Sequence, residues 1–470
     1  MEPSNNNQVT RFGQWLNESL TVKLVVIFFV TIALLIPGSL VSDLVRERQY
    51  RQVEVVNEVS QSWSGAQTLS GPILMLPYSK QVRVLRNGVE QSEEQLHYIY
   101  LLPEEADIKV DTDTKLLSRG IFDVAVYEAG ATWKGHFSGL DLSREEVLPE
   151  QVLWSKVRLL IGVGDLRGVK QVSPVLVNGQ EFALDEYARE HVFTQNLVVT
   201  PQLSGEPWER LPFEFTIDFR GTSSLQFLQT AKHTTVQVAG NWASPKFIGQ
   251  SLPDHREVKE ESFSVAWDLS NFARTLPTQW SDQQILIQGR DPYYVGEPIQ
   301  PKTMAAPSEQ SLTHHIDGFG VEFLQPVNHY HKNERATKYA ILIIVLSFLS
   351  LFFTEIIAKR RIHIVQYVLI GAAMMVFYAL LLALSEHIGF NMAYGVASLA
   401  TIPVIGVFIS NILRGGRLTW IFTGLLSFFY LFVFIIIQLH DMALLMGSIG
   451  LFLSVAALMY FSSRINWQGK

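Results

Sequence analysis

YAILIIVLSFLSLFFTEIIAKRR, residues Tyr339 to Arg361, decides what kind of protein this is. From Tyr339 to Ala358 the run carries a single charge, Glu355, and then stops at Lys359, Arg360 and Arg361. A helix needs roughly 20 apolar residues to cross a hydrocarbon core of about 30 Å, and this run supplies them. Working outward, four more such runs follow: Ile364–Leu384, Gly389–Ile412, Leu418–Leu439 and Met442–Phe461. Pro403 falls mid-run in the second of these, where membrane helices tolerate proline with a kink. On the other side a single run, Leu24–Val41, stands between Lys23 and Asp43. It lies too far in for a removed signal peptide and lacks a small-residue cleavage site, so it reads as an uncleaved anchor. The sequence predicts six membrane helices, one N-terminal and five C-terminal.

Lysine and arginine in the short connections set the orientation of such a chain. Lys359, Arg360 and Arg361, then Arg414 and Arg417, then Arg464 and Lys470 occupy alternate links, while 385–388 and 440–441 hold none. The pattern predicts cytoplasmic basic links and a cytoplasmic C-terminus, and an even number of spans puts the N-terminus there too. Arg46, Arg48 and Arg51 after the first span oppose this, as do Lys332, Arg335 and Lys338 before the second. They flank nearly 300 residues, and long domains translocate largely regardless of charge.

Composition sharpens the division. Only 17% of the 470 residues are charged, against about 25% in ordinary soluble domains. Residues 43–336 hold 27 basic and 39 acidic side chains, net −12, and the rest nets +5. The expected layout is 1–23 as a cytoplasmic N-terminus with an interfacial helix (Phe12, Trp15, Leu16, Leu20), 24–42 as the anchor, and 43–336 as an exported periplasmic domain. Residues 337–463 then form a five-helix bundle and 464–470 a cytoplasmic tail. The net charge of −7 argues against nucleic acid as a partner. The absence of cysteine excludes disulfide scaffolds, thiolate metal sites and cysteine nucleophiles.

After the first span, Val45, Gln49, Gln52, Val56, Val59 and Trp63 recur at helical spacing and stop at Ser64-Gly65. Strand patterns follow. Phe213–Phe219 and Phe263–Trp267 alternate, Phe122, Val124 and Val126 share a face, and so do Phe319, Val321 and Phe323. Asn-Gly pairs at 87–88 and 178–179 read as tight hairpin turns. One-faced alternation predicts antiparallel sheets in a β-rich, sandwich-like domain.

Several stretches resemble one family. WSGAQTLSGPILMLPY (Trp63–Tyr78) is similar to the segment that opens the exported domain of CreD-family inner-membrane proteins. Trp242–Gly249, Gly318–Phe323 with Pro326–Tyr330, Arg361–Tyr367 and Leu384–Phe390 resemble its later motifs. Ile364 stands where the family usually has proline after the histidine, and Asn328 where aspartate is usual. The resemblance implies a Gram-negative inner-membrane protein that maintains cell-envelope integrity. Its gene would belong to a two-component-system regulon, tied to envelope stress and the β-lactam response. No reaction and no cofactor are implied.

Candidate chemistry is sparse. No His-Glu-x-x-His, Gly-x-Ser-x-Gly or phosphate loop occurs. Gly162-Val-Gly164-Asp-Leu-Arg-Gly168 has the wrong glycine spacing for a dinucleotide turn and leads into strand rather than helix. Glu355 is either a proton or cation site or an i,i+4 partner of Lys359 at the interface. His363, Gln366 and Tyr367, with Arg360 and Arg361, either grip an anionic headgroup or anchor a helix end. Glu386-His387 and His440-Asp441 close the outer links. His329 and His331, two apart, would present both imidazoles on one face of a strand, a weak metal candidate with His387 and His440. The bland alternative makes Glu386 and His387 helix caps.

Three functions stay open. The chain is a non-enzymatic envelope factor whose exported domain binds or senses an envelope component, a transporter, or an enzyme on lipid-linked envelope material using Glu386 and His387. The resemblance and the missing catalytic signatures favour the first. Its partners are then the bilayer and an envelope component, with the oligomeric state open.

Overall fold

The computed structural model describes residues 20–86, 89–185, 192–203, 205, 208–274, 276–281, 285–289, 312–323, 329–439 and 445–450, with 452, 456 and 459. The expected interfacial helix before residue 20, the turn at 87–88, the link at 440–441 and most of the sixth span, Met442–Phe461, lie outside them. The chain divides into two compact units, one of Met1–Val53 with Val327–Lys470, the other Glu54–Pro326.

In the helical unit, α1 runs from Leu20 to Ser62, 43 residues without a break despite Pro37. At 1.5 Å per residue that is about 64 Å, twice the hydrocarbon thickness. The predicted anchor and the amphipathic stretch behind it are therefore one helix. The others are α2 (His329–Lys338), α3 (Ala340–Ala358), α4 (Ile364–Ile388), α5 (Phe390–Leu413) and α6 (Arg417–Gln438). With α2 and α3 counted together, five helices among the described residues are long and apolar enough to cross a membrane. Ile27, Leu34 and Val41 of α1, seven residues apart, enter the bundle core, while Phe28, Phe29, Ile36 and Leu40 stay exposed. That one-sided stripe suits a helix facing protein on one side and lipid on the others. Leu34 seats closely on Gly371 of α4, where an added Cβ would sit 2.2 Å from its side chain. Small residues allow such contacts between membrane helices.

The second unit is built on two large sheets. Its strands are β1 (Gln67–Arg86), β2 (Val89–Leu101), β3 (Glu105–Arg119), β4 (Phe122–Ser138), β5 (Arg158–Gly162), β6 (Val169–Val172), β7 (Val175–Val177), β8 (Gln180–Phe182), β9 (Asn196–Val199) and β10 (Arg210–Thr222). The series continues with β11 (Ser224–Phe227), β12 (His233–Gly240), β13 (Pro245–Gly249), β14 (His255–Val258), β15 (Phe263–Leu269), β16 (Gln279–Ser281), β17 (Ile285–Gly289), β18 (Leu312–Ile316) and β19 (Phe319–Phe323). One sheet has the order β13-β19-β11-β1-β2-β16, extended by β5 and β9; the other is β14-β15-β12-β3-β4-β10-β7-β8, with β6 on β10. A pair of strands, β17-β18, stands apart.

Both large sheets feed one core. Phe213, Phe215, Ile217 and Phe219 of β10 point into it, as their alternation requires. Tyr127 of β4 meets Phe323 of β19 at 4.9 Å between ring centroids, and Trp267 of β15 meets Phe319 at 5.4 Å. The turn at Asn178 and Gly179 has positive φ at both residues, 50° and 78°, the twist a two-residue hairpin needs.

Two expectations are corrected. The sheets are not purely antiparallel, because β1 runs parallel to β11, β3 to β12, and β17 to β18. Alternation reports which face is buried and carries nothing about the direction of the neighbour. Nor is burial one-sided. Leu69, Leu74, Leu76 and Tyr78 of β1 enter the shared core, whereas Ile73 and Met75 enter a second cluster with Tyr100, Leu160, Trp280 and Ile287. The face shared by Val124 and Val126 likewise packs on Val59 of α1, with Val55, Val56 and Trp63, rather than on the main core.

Candidate functional site

The membrane charge that drew attention in the sequence, Glu355, lies one turn from the end of α3 and is only 9% exposed. It does not pair with Lys359. Lys359 ends the helix in the left-handed region (φ 49°), donating its backbone N–H to the carbonyls of Glu355 and Ile356. The carboxylate turns inward instead and forms an ion pair with Lys23 of α1, itself 5% exposed. Lys23 Nζ also donates to the Ile362 carbonyl at 2.6 Å, and Glu355 Oε1 accepts from the Ile362 N–H at 3.1 Å. Tyr367 Oη of α4 donates to Glu355 Oε2 at 3.0 Å, and its ring lies 5.7 Å from Lys23 Nζ. Three helices and the α3–α4 link thus meet on one compensated charge pair. Buried charges are tolerated when paired and hydrogen-bonded in this way.

His363 and Gln366, expected beside it, form the start of α4. Gln366 Oε1 accepts the His363 N–H at 2.9 Å, and His363 Nδ1 accepts from Val365 N–H at 3.3 Å. Glu386 sits near the far end of α4, 19 residues beyond Tyr367, or about 28 Å along the helix. The polar residues singled out in the sequence therefore form separate clusters at opposite ends of α4.

At that second end, Glu386 Oε1 accepts from Tyr330 Oη at 3.3 Å and lies 3.4 Å from Arg48 Nε of α1. Asn333 Nδ2 donates to Ser385 Oγ at 2.7 Å, both buried. Lys332 and Arg335 reach Gln438 Oε1 and the Leu439 carbonyl, at 3.1 and 2.8 Å. His329 and His331 lie on α2, not a strand, so the chelating geometry is lost. Residues two apart on a helix point in nearly opposite directions. His329 Nδ1 accepts from the Phe390 N–H at 3.2 Å, and His387 is exposed. Among the described residues no three histidine or acidic side chains converge on a metal-sized space.

The second unit has a polar knot where α1 enters β1. Gln67, fully buried, donates from Nε2 to the carbonyls of Asp165 and Arg220, at 2.9 and 3.1 Å, and accepts Asp165 N–H at 3.1 Å. Asp165 accepts from the Arg167 guanidinium at 2.7 and 3.0 Å and from Gly65 N–H at 3.0 Å. These bonds hold its carboxyl well below the usual carboxylate range, the guanidinium first. Arg167 Nη1 donates to the Gln61 carbonyl at 3.0 Å, near the end of α1. Trp63 lies 4.8 Å from the Arg220 guanidinium and 5.4 Å from Lys115 Nζ. The Gly162–Gly168 run, with nucleotide-like glycines, is thus part of a structural clamp. Gly168 has no room for a side chain, since an added Cβ would sit 2.3 Å from Gln67 Nε2 and 2.4 Å from the Arg220 carbonyl oxygen.

Sequence reasoning missed Lys23, Arg48, Tyr330, Asn333 and Ser385 as members of these clusters. One signal was available for the first: a lone lysine bordering one span and a lone acid inside another are natural partners in lipid.

Together these features define a polytopic membrane protein that carries a large two-sheet domain between its first and second apolar helices. Comparison with known proteins narrows the class. The family model described as Inner membrane protein CreD matches residues 19–468, and the chain belongs to that family. Inner membrane protein CreD of Escherichia coli (strain K12) is 29% identical over 457 residues, covering 96% of this chain and 94% of that one. Among solved structures, the M1 zinc metallopeptidase of Deinococcus radiodurans matches 36% of this chain and 40% of its own at 12% identity, with a TM-score of 0.19. Yeast LTA4 hydrolase in complex with bestatin matches 36% and 27% at 9% identity, with a TM-score of 0.18. Such scores carry no argument about fold or activity.

Proposed function

We propose that this chain is a non-enzymatic inner-membrane factor that supports envelope integrity, and that its two-sheet domain lies in the periplasm and binds or senses an envelope component. The observation that carries the reading is the Lys23–Glu355–Ile362 contact. It puts the start of α1 at the end of the bundle that bears Lys359, Arg360 and Arg361, while Arg48 of α1 reaches Glu386 at the other end. A basic link marks the cytoplasmic side, so α1 starts inside and the chain leaves it outside. The same geometry answers the opposing signal from Arg48, which is held by a bundle carboxylate. Support for a non-enzymatic role comes from Glu386, which is engaged by Arg48 and Tyr330 instead of standing free beside His387 as an acid–base pair.

Reporter fusions test the arrangement in cells that express the full chain. A reporter active only in the periplasm should work when inserted after Glu150 and stay silent after Arg414. Cells lacking the chain should leak periplasmic enzymes, and the full chain should restore retention. Activity after Arg414, or unchanged retention in its absence, overturns the proposal.

A further inference from the structure

Four cations at one end of the helical unit enter the envelope reading only as a marker of orientation. Lys359 and Arg360 follow α3, and Arg414 and Arg417 bound the link between α5 and α6; all four are exposed. Two contacts bring them together. Lys332 and Arg335 of α2 reach Gln438 and Leu439 at the C-terminal end of α6, and α2 leads into α3 with only Tyr339 between. Since α3 packs along α6, the last turn of α3 lies at the same end as the first turn of α6. The two basic links therefore form one rim.

What the rim lacks selects its partner. Among the described residues its only carboxylate is Glu355, which turns inward to Lys23, Tyr367 and the Ile362 N–H. The other described acids of the unit lie at the opposite end: Asp43 and Glu47 beside Arg48 of α1, Glu334 on α2, and Glu386 near the end of α4. Lys359, Arg360, Arg414 and Arg417 accordingly form no ion pair among the described residues. Helix capping does not account for them either. Arg335 donates to the Leu439 carbonyl and so closes α6 at its far end, whereas none of these four side chains bonds a carbonyl among the described residues. Lys359 and Arg414 even hold left-handed C-cap positions, φ 49° and 58°, which glycine takes at least cost.

The height of the rim supplies the rest. Both α3 and α6 belong to the helices long and apolar enough to cross a membrane. Ile357, Trp420 and Ile421 are exposed apolar side chains within four residues of these cations, Trp420 at 79%. On such helices exposed apolar groups face lipid, and tryptophan marks the headgroup boundary. The cations thus stand at the level of the lipid phosphates, and clustered Lys and Arg beside a span attract anionic headgroups. Both leaflets carry phosphates, so this step does not rest on the orientation proposed above. We infer that the rim is a binding surface for anionic phospholipid, with headgroup phosphates taken by Lys359 and Arg360 on one link and by Arg414 and Arg417 on the other.

The test uses the full-length protein in nanodiscs of phosphatidylcholine with a minority of phosphatidylglycerol. A trace of phospholipid carries a photoreactive headgroup, anionic in one sample and zwitterionic in the other. After irradiation, labelled peptides are mapped by mass spectrometry. The anionic probe should label residues 359–363 and 414–420 at least about fivefold more than the zwitterionic probe, the worth of one basic side chain at a membrane surface. In the wild type that preference should collapse at about 1 M salt, where the screening length is only about 3 Å. Lys359→Gln with Arg360→Gln should remove the preference at the first link and leave it at the second. Arg414→Gln with Arg417→Gln should do the reverse. Equal labelling by the two probes at both links of the wild type overturns the proposal, as does a preference that survives in both double variants. Label displaced by a soluble acidic peptide but not by excess phosphatidylglycerol would assign the rim to a protein partner and likewise overturn it.

Discussion

Lys23 and Glu355 are separated by 332 positions in sequence and joined in the bundle. Removing one partner leaves the other charged and uncompensated, at a cost of about 3–5 kcal/mol for buried pairs. Lys23→Met alone and Glu355→Gln alone should therefore lower the thermal midpoint of the detergent-solubilised protein sharply. The double variant should recover most of the loss, because both charges go together. Equal losses in single and double variants would mean the two side chains do not act as a pair. In the second unit, Asp165 gives a pH-dependent prediction. Its folded pKa is depressed, so the stability it supplies is complete above the unfolded value of about 3.9 and is lost as pH falls below that. Asp165→Asn should lower the urea midpoint at pH 7, and the gap from wild type should close on acidification below about pH 4. A gap that stays constant down to pH 3 would remove Asp165 from the titrating groups. Glu355 was conspicuous in the sequence because an acid inside an apolar run is rare. Its partner was not, because Lys23 borders a run and reads as an ordinary flank. Asp165 had no signal at all, since its meaning comes from Gln67 and Gly65 about a hundred residues earlier.

At the scale of elements, apolar runs and alternation fixed where helices and strands lie, and left open what each packs against. The α1 stripe of Ile27, Leu34 and Val41 is visible as a seven-residue spacing, but its seat is a single glycine of α4. Gly371→Val should drive Leu34 out of that seat. The native chain has no cysteine, so a pair placed at Gly38 and Met375, neighbours across the same contact, reports on it without background. Disulfide formation between them should be efficient in an otherwise native chain and fall at least severalfold with Gly371→Val. Unchanged cross-linking would show that α1 docks elsewhere. Strand direction was the hidden quantity in the other unit. Phe213 to Phe219 announces a buried face, whereas the parallel pairing of β3 with β12, Glu105 opposite His233, leaves no local trace. Only the long returning connection makes it possible.

At the scale of the whole chain, the presence of apolar helices and of a charged, strand-rich region was legible because the two differ so sharply in charge. The helix α1 itself passes Val53, where the two compact units divide, without any change in backbone. The doubly buried strand β1 also has a consequence in time. Its central residues Ile73 to Tyr78 are covered on both faces, and its partner β11 begins at Ser224, while β19, which closes that edge, ends at Phe323. Ribosomes deliver about 5–20 residues per second, so roughly 10–50 s pass between the emergence of β1 and of β19. Throughout that interval the strand Ile73-Leu-Met-Leu-Pro77-Tyr78 can pair with β2, but its two faces lack the cover that Trp280, Ile287, Phe319 and Phe323 supply. Its low charge and bare apolar faces leave such a segment open to non-specific association. The nascent chain must therefore be shielded until its C-terminal strands arrive.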